Sequence, residues 1–323
     1  MLLIVTEIIP KIGFFSLEKA FQLASLTCKK ENILFSIEGN IDLSPYFKGR
    51  GYKYLGNTEL LKIFKEKVSV VLFFKDIFSE IDKKILSQAK KKGIPTVKYS
   101  YFGQSPEDID VIVDPSPFEY DGQTEERSIL SGPEYTILHH KYIHFHNLDR
   151  KYKKKLRNIL LDPGNRLPYR ELRKLTELLL NRGYRVKIIP GKDFEKFNRK
   201  TLKRLYPSLK ISGTPESYAR TYFETDLAII DPDISSVKAA VTGTPAIYLQ
   251  GTGNDELTAQ YFEENGAGLL FRRWKREDYS EISELLKFFS FEKRKEIGQA
   301  GKLLADGKGV YKISKILRSF LKE

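Results

Sequence analysis

"MLLIVTEIIPKIGFFSLEKAFQLA", residues 1–24, decides how the rest of the chain is read. An apolar run opens it, Gly13 turns it, and an amphipathic helix follows from Ser16. A short, continuous apolar run is the mark of a strand covered on both faces. Strand, glycine turn and helix form the layout of a phosphate- or sugar-binding loop. The layout repeats. Strands are predicted at 1–8, 32–37 ("NILFSI"), 69–74 ("SVVLFF"), 95–101 and 110–114, with helices at 16–29, 58–66 and 78–92. Strand–helix alternation of this kind predicts an α/β fold with a parallel, doubly wound sheet.

"YTILHH", 135–140, reads as one last strand, and the basic stretch 147–157 as a linker. The alternation then restarts at "NILLDPGN" and runs through "LAIIDPD", "PAIYLQG" and "GLLF". The expected plan is an N-terminal Rossmann-like domain over 1–146, a linker over 147–157 and a C-terminal Rossmann-like domain over 158–307. A last helix over 308–323 is expected to pack back on the first domain. Two such domains imply a cleft between them, where ligands usually sit.

Composition narrows the class. Of 323 residues, 41% are apolar and 30% charged, which suits a folded globular chain. No apolar run reaches the roughly 18 residues that a membrane helix needs, and Glu7 interrupts the first run, which argues against a secretory signal. The single cysteine, Cys28, excludes an intramolecular disulfide and suits a reducing cytoplasm; within its helix it is expected to be buried. The net charge of +13 lies wholly in residues 151–323, because residues 1–150 hold 20 basic and 20 acidic side chains. A basic half points to a polyanionic partner or to an ordinary lysine-rich surface.

Five motifs carry a family resemblance. The first is Ile12, Gly13, Phe14, Phe15, Ser16, Leu17, Glu18, Lys19. The second is Gly132, Pro133, Glu134, Tyr135, Thr136, Ile137, Leu138, His139. The third is "NILLDPGN", with Gly164 and Asn165 at its turn, and the fourth "LAIIDPDISS", with Ser235, Ser236 and then Lys238. The fifth is "GTPAIYLQGTGNDELTA", with Asn254 and Asp255 at a helix start. Together they resemble the UDP-sugar hydrolase of pseudaminic acid biosynthesis and the related spore-coat polysaccharide proteins. These are relatives of the peptidoglycan N-acetylglucosaminyltransferase with the two-Rossmann GT-B fold.

The resemblance implies a UDP-sugar as ligand, no cofactor, and a place in surface-glycan biosynthesis. It also shows what has changed. Ser16 stands where the family has the histidine that activates water, and serine cannot do so unaided. Phe15 replaces a glycine, Lys19 and His139 each replace an arginine, and Lys238 stands where a glutamate binds ribose. Pro163 has no N–H for a phosphate. Positions that shape the fold are kept, whereas those that hold UDP or do chemistry are exchanged.

The candidate catalytic residues are therefore His139 as acid or base, with Ser16 and Lys19 at the first helix start. The candidate nucleotide-binding residues are Gly13, Gly164, Asn165, Ser235, Ser236, Asn254 and Asp255. Read as a strand, "HHKYIHFH" puts His140, His144 and His146 on one face and His139 on the other; no zinc-ligand spacing accompanies them, and no metal site is expected. The basic, aromatic stretches 150–157, 196–206 and 271–277 could lie on an anionic membrane surface, and no nucleic-acid motif accompanies them. A cytoplasmic location is expected, with peripheral contact at the inner membrane face as its variant. Two functions stay open: glycosyl hydrolysis or transfer from a UDP-sugar, and a catalytically silent GT-B homologue that binds or scaffolds.

Overall fold

The computed structural model describes residues 1–7, 15–38, 43–56, 64, 67–100, 108–117, 128–164, 167–191, 196–212, 214–272 and 280–321. Gly13, Asn165 and most of the helix expected at 58–66 lie outside the described residues. The chain divides into two compact units, Met1–Ile137 with Lys308–Glu323, and Leu138–Gly307.

Among the described residues, the first unit is built on seven parallel strands: β1 (Leu2–Glu7), β2 (Ile33–Glu38), β3 (Lys53–Gly56), β4 (Val70–Phe74), β5 (Thr96–Tyr99), β6 (Val111–Asp114) and β7 (Ser128–Ser131). Their order is β3-β2-β1-β4-β5-β6-β7, so the sheet winds outward both ways from the β1/β4 pair. Successive residues of β1 feed opposite layers: Leu2 and Ile4 join one core, Leu3 and Val5 the other. That two-sided burial is why its sequence is a run and not an alternation. Helices α1 (Phe15–Thr27), α2 (Ser44–Lys48) and α3 (Glu80–Lys91) connect these strands. A reciprocal cap of Ser79 with Asp82 starts α3.

The second unit has six parallel strands: β8 (Asn158–Asp162), β9 (Arg185–Ile188), β10 (Lys210–Ile211), β11 (Leu227–Ile230), β12 (Ala246–Leu249) and β13 (Leu269–Phe271). The order β10-β9-β8-β11-β12-β13 places its switch point between β8 and β11. Its helices are α4 (Lys141–Asn147), α5 (Tyr169–Asn181), α6 (Lys196–Leu205), α7 (Pro215–Glu224), α8 (Ile234–Thr242), α9 (Asn254–Glu264), α10 (Ser280–Lys287) and α11 (Phe291–Leu304). On α5, Leu172, Leu175, Thr176 and Leu179 are buried at spacings of three and four, one helical face.

Helix α12 (Gly309–Phe320) returns to the first unit and packs on α1. It buries Val310, Ile313 and Leu317, each worth about 1.5–3 kcal/mol. Ser314 Oγ donates to the Leu26 carbonyl at 3.0 Å, and Arg318 Nε to that of Thr27 at 3.0 Å, so α12 also caps the end of α1.

Two local expectations are corrected. "YTILHH" is not a strand: Pro133–Tyr135 is a 3-10 turn, 136–139 is irregular, and the histidines run into helix α4. The three buried residues Thr136, Ile137 and Leu138 imitate a strand, but β7 already pairs with β6 in that sheet. Cys28 is half-buried at the end of α1, its thiol 3.8 Å from the Asn32 carbonyl oxygen.

Candidate functional site

Open α/β sheets bind ligands beyond the carboxyl ends of the strands flanking the switch point. In the second unit those ends are Asp162, which closes β8, and Ile230, its neighbour on β11. Asp162 is buried and collects three donors on one oxygen. Tyr222 of α7 donates its hydroxyl to Oδ2 at 2.5 Å, Ser235 of α8 at 3.1 Å, and Lys238 Nζ lies at 3.4 Å. Lys238 Nζ also reaches Ser235 Oγ at 3.3 Å. Burial pulls the Lys238 ammonium towards neutrality, but the carboxylates of Asp162 and Asp233 outweigh it, and its pKa is raised. Burial, then the charge of Asp162, pushes the Tyr222 phenol well above its ordinary value, so it stays a donor.

The turns around this group are specific. Gly164 has φ +56°, and a Cβ there would meet Asp231 Oδ2 at 2.7 Å; the position combines a left-handed backbone with no room for a side chain. Asp233 caps α8, its carboxylate accepting from the Ser235 N–H at 2.7 Å. Several buried hydroxyls lack a hydrogen-bond partner among the described residues, and two of them stand on elements beside this group: Ser236 Oγ on α8 and Tyr142 Oη on α4. Burial first, then Asp162 and Tyr218, keeps the Tyr142 phenol protonated. Orphaned buried hydroxyls call for a water or ligand partner.

Gly164, Ser235 and Ser236 thus belong to one neighbourhood. Asn254 and Asp255 open α9, after the next strand, β12. Ser16 is half-buried and Lys19 buried on α1, in the first unit, whereas His139 belongs to the second. Sequence reading missed Tyr222 as a partner of Asp162 and Tyr142 as its neighbour. It noted Lys238 only as a misfit, because Asp162 lies 76 residues upstream and only the adjacency of β8 and β11 brings the two together. At the β1/β4 switch point of the first unit it also missed Lys75, a buried ammonium 2.5 Å from Asp82 and 2.8 Å from Glu38. Burial opposes its charge, and those two carboxylates raise its pKa regardless.

His139 precedes α4. Its Nδ1 accepts weakly from the Lys141 N–H at 3.4 Å, and its ring lies 4.1 Å from that of His140. Burial and the neighbouring His140 lower its pKa from 6.5, against the attraction of Glu216. The imidazole is therefore neutral at pH 7 and can accept a proton. We expect an NMR titration to place its midpoint below pH 6.5, and Glu216→Gln to lower that midpoint further. A midpoint above 6.5 would contradict the environment described here. Among the described residues no group of three or more His, Cys, Asp or Glu side chains could hold a metal, and no helix is long and apolar enough to cross a membrane.

No family model matches this chain, and no curated protein matches its sequence. Solved structures do. MurG of Acinetobacter baumannii superposes with a TM-score of 0.67 at 14% identity, over 98% of this chain and 99% of that one. The fold is GT-B-like. A glycosyltransferase from Rickettsia africae superposes at 0.62 with 12% identity, covering 100% and 98% of the two chains. MnaA of S. aureus, solved with UDP, gives 0.63 at 14% identity over 99% and 97%. Identities this low speak for the fold and not for the reaction.

Proposed function

We propose that this GT-B-like chain handles a nucleotide-sugar at the β8/β11 switch point, by hydrolysis or transfer of the glycosyl group in surface-glycan assembly. One observation carries the reading: a cationic Lys238, its Asp162 and Ser235 partners and the orphaned hydroxyls of Tyr142 and Ser236 gather where this fold class binds ligands. The fold likeness to MnaA, solved with UDP, supports it. In this reading Lys238 offers the diphosphate a charge in place of the backbone N–H groups that Pro163 and the Asp233 cap withdraw. Gly164 with Asn165, Ser235 with Ser236, and Asn254 with Asp255 frame the nucleotide. His139 serves as acid or base; Gly13, Ser16 and Lys19 remain the candidate catalytic and binding residues of the first motif.

A second reading, a catalytically silent binding or scaffold protein, is favoured by a specific feature. Asp233 already fills the start of α8, and Asp162 already engages Lys238. Anionic side chains standing there repel a diphosphate. Calorimetry with UDP and UDP-N-acetylhexosamines separates the two. Micromolar binding that weakens in Ser235→Ala supports the first; a folded protein that binds no nucleotide supports the second. In the first case His139→Ala should abolish turnover while leaving UDP affinity unchanged.

A further inference from the structure

The opposite edge of the same sheet holds a second charged site. It lies at the amino ends of β8 and β11, about 13 Å along β8 from Asp162 at 3.3 Å per residue. A pocket of about 290 Å³ opens there, walled by the segment Asp149–Lys153, the end of α7 through Asp226, and Arg294 of α11. That volume sits at the lower end of the ~300–1,000 Å³ typical of small-molecule sites.

Its charge balance is unusual. Arg150 and Arg294 are both buried. Every hydrogen bond from Arg150 goes to a neutral oxygen: the Tyr222 carbonyl at 3.4 Å, the Thr242 carbonyl at 3.1 Å, Thr244 Oγ1 at 3.0 Å, and the Thr225 carbonyl. Arg294 likewise donates to the carbonyls of Phe289, Lys153 and Lys154, at 3.2, 2.7 and 3.0 Å, and its Nη1 has no partner among the described residues. Among the described residues, neither guanidinium hydrogen-bonds a carboxylate. The carboxylates on the pocket wall are partly engaged: Asp226 Oδ1 lies 3.9 Å from Lys153 Nζ, so an incoming anion competes with it for that ammonium. Asp226 accepts from the N–H groups of Arg157 and Asn158 and from Asn158 Nδ2, and Glu224 is held by Arg220 and Lys187. Asp149 is exposed to solvent, as are Lys151 and Lys153. Two buried guanidiniums share the field of one carboxylate, Asp226, without bonding it, and buried charge so incompletely compensated is costly; a further anion relieves it. Burial accordingly pulls Arg150 down to about 10, against the attraction of Tyr152 and of the Asp226 carboxylate and with the repulsion of Arg294 adding to it.

We propose that this pocket binds a small phosphomonoester dianion, held by the field of Arg150 and Arg294 and by the ammonium groups of Lys151 and Lys153. The rings of Tyr152 and Phe223, each stacked with Arg150 at 5.4 and 5.6 Å, supply an apolar wall for the organic part. Guanidinium and phosphate match in charge and geometry. The site is independent of the switch-point reading, because it lies at the other end of the strands and none of the residues that wall it belongs to the switch-point group.

The test uses the full chain and two probes, inorganic phosphate and glycerol 3-phosphate, titrated by calorimetry at low salt. Saturable one-to-one binding is expected, tighter for the phosphomonoester. Lys151→Ala with Lys153→Ala, both on exposed side chains, should weaken it by about fivefold, the size two surface ion-pair contacts supply. Arg294→Met should weaken it further. An excess of UDP should leave phosphate binding unchanged. Absence of saturable binding to the unaltered protein, equal affinity in the double lysine variant, or displacement of phosphate by UDP would each overturn the proposal. Should Arg294→Met fail to fold, the lysine variant decides alone.

Discussion

Lys238→Met is expected to destabilise the second unit by about 3 kcal/mol, the cost of removing one partner of a buried ion pair. The ammonium is the only cation among the described residues that bonds Asp162, at 3.4 Å, and both side chains are largely withdrawn from water, at 16% and 5% exposure. Without it the carboxylate keeps the hydroxyls of Tyr222 and Ser235. Those two donors hold the loss near the lower end of the range for such pairs. Asp162→Asn in the same background should recover at least half of the loss, because the amide removes the uncompensated charge and still accepts from both hydroxyls. Chemical denaturation gives the total, and hydrogen exchange at the β8 and α8 amides gives its location. A loss under about 1 kcal/mol, the value of a solvent-screened pair, would show that Lys238 is free to serve a ligand instead.

That competition bears on function. Lys238 cannot fully neutralise both Asp162 and an incoming diphosphate. If UDP binds at the switch point, it must rearrange the Lys238–Asp162 contact, and the energy of that contact opposes binding. A weak internal pair therefore favours the nucleotide-sugar reading, and a strong one favours the silent scaffold. The same measurement thus informs both stability and activity.

The fold was legible where burial is two-sided. Runs such as "LLIV", "VVLFF" and "LAII" cannot face water on either side, and they form β1, β4 and β11 at the sheet centres. Strands β3 and β7 escaped notice because they stand at the sheet edges, where β7 is only partly buried and carries serines. The histidine stretch misled for a different reason. His140, just before the helix, and His144 within it are exposed while Tyr142 is buried; in a strand these three positions would share one face, so the pattern is helical, and it shows only once burial is known. At the site, the turns at Gly164 and Asp233 were readable from local chemistry. The Tyr222–Asp162 bond was not, since it joins residues 60 apart through the crossing of α7 over β8. Nor did the basic composition of 150–157 reveal that Arg150 turns inward while Lys151, Lys153 and Lys154 face solvent. Sequence shows charge, and only packing shows which charges lack a counter-ion.

Gly298→Ala should cost about 2 kcal/mol despite the better helix propensity of alanine. Helix α11 packs on α8 through Gly298 and Gly301. A Cβ at 298 would stand 2.0 Å from Tyr152 Oη and 2.3 Å from the Gly243 carbonyl oxygen. The tyrosine can swing away; the carbonyl belongs to the main chain and cannot. Alanine gains up to about 1 kcal/mol in a helix interior. Against that stand an overpacking cost of ~1–3 kcal/mol and the 2.9 Å bond from Tyr152 Oη to Gly243 O, worth about 1 kcal/mol. Tyr152→Phe should remove part of the clash, so the double variant should lose less than the sum of the singles, a coupling expected between touching residues. Gln299→Ala, one position along on the exposed face, should change stability by no more than ~0.5 kcal/mol. Because Tyr152 and Arg294 both wall the phosphate pocket, displacing α11 should weaken phosphate binding in Gly298→Ala as well. Unchanged affinity with lowered stability would show instead that the pocket tolerates movement of the helix behind it.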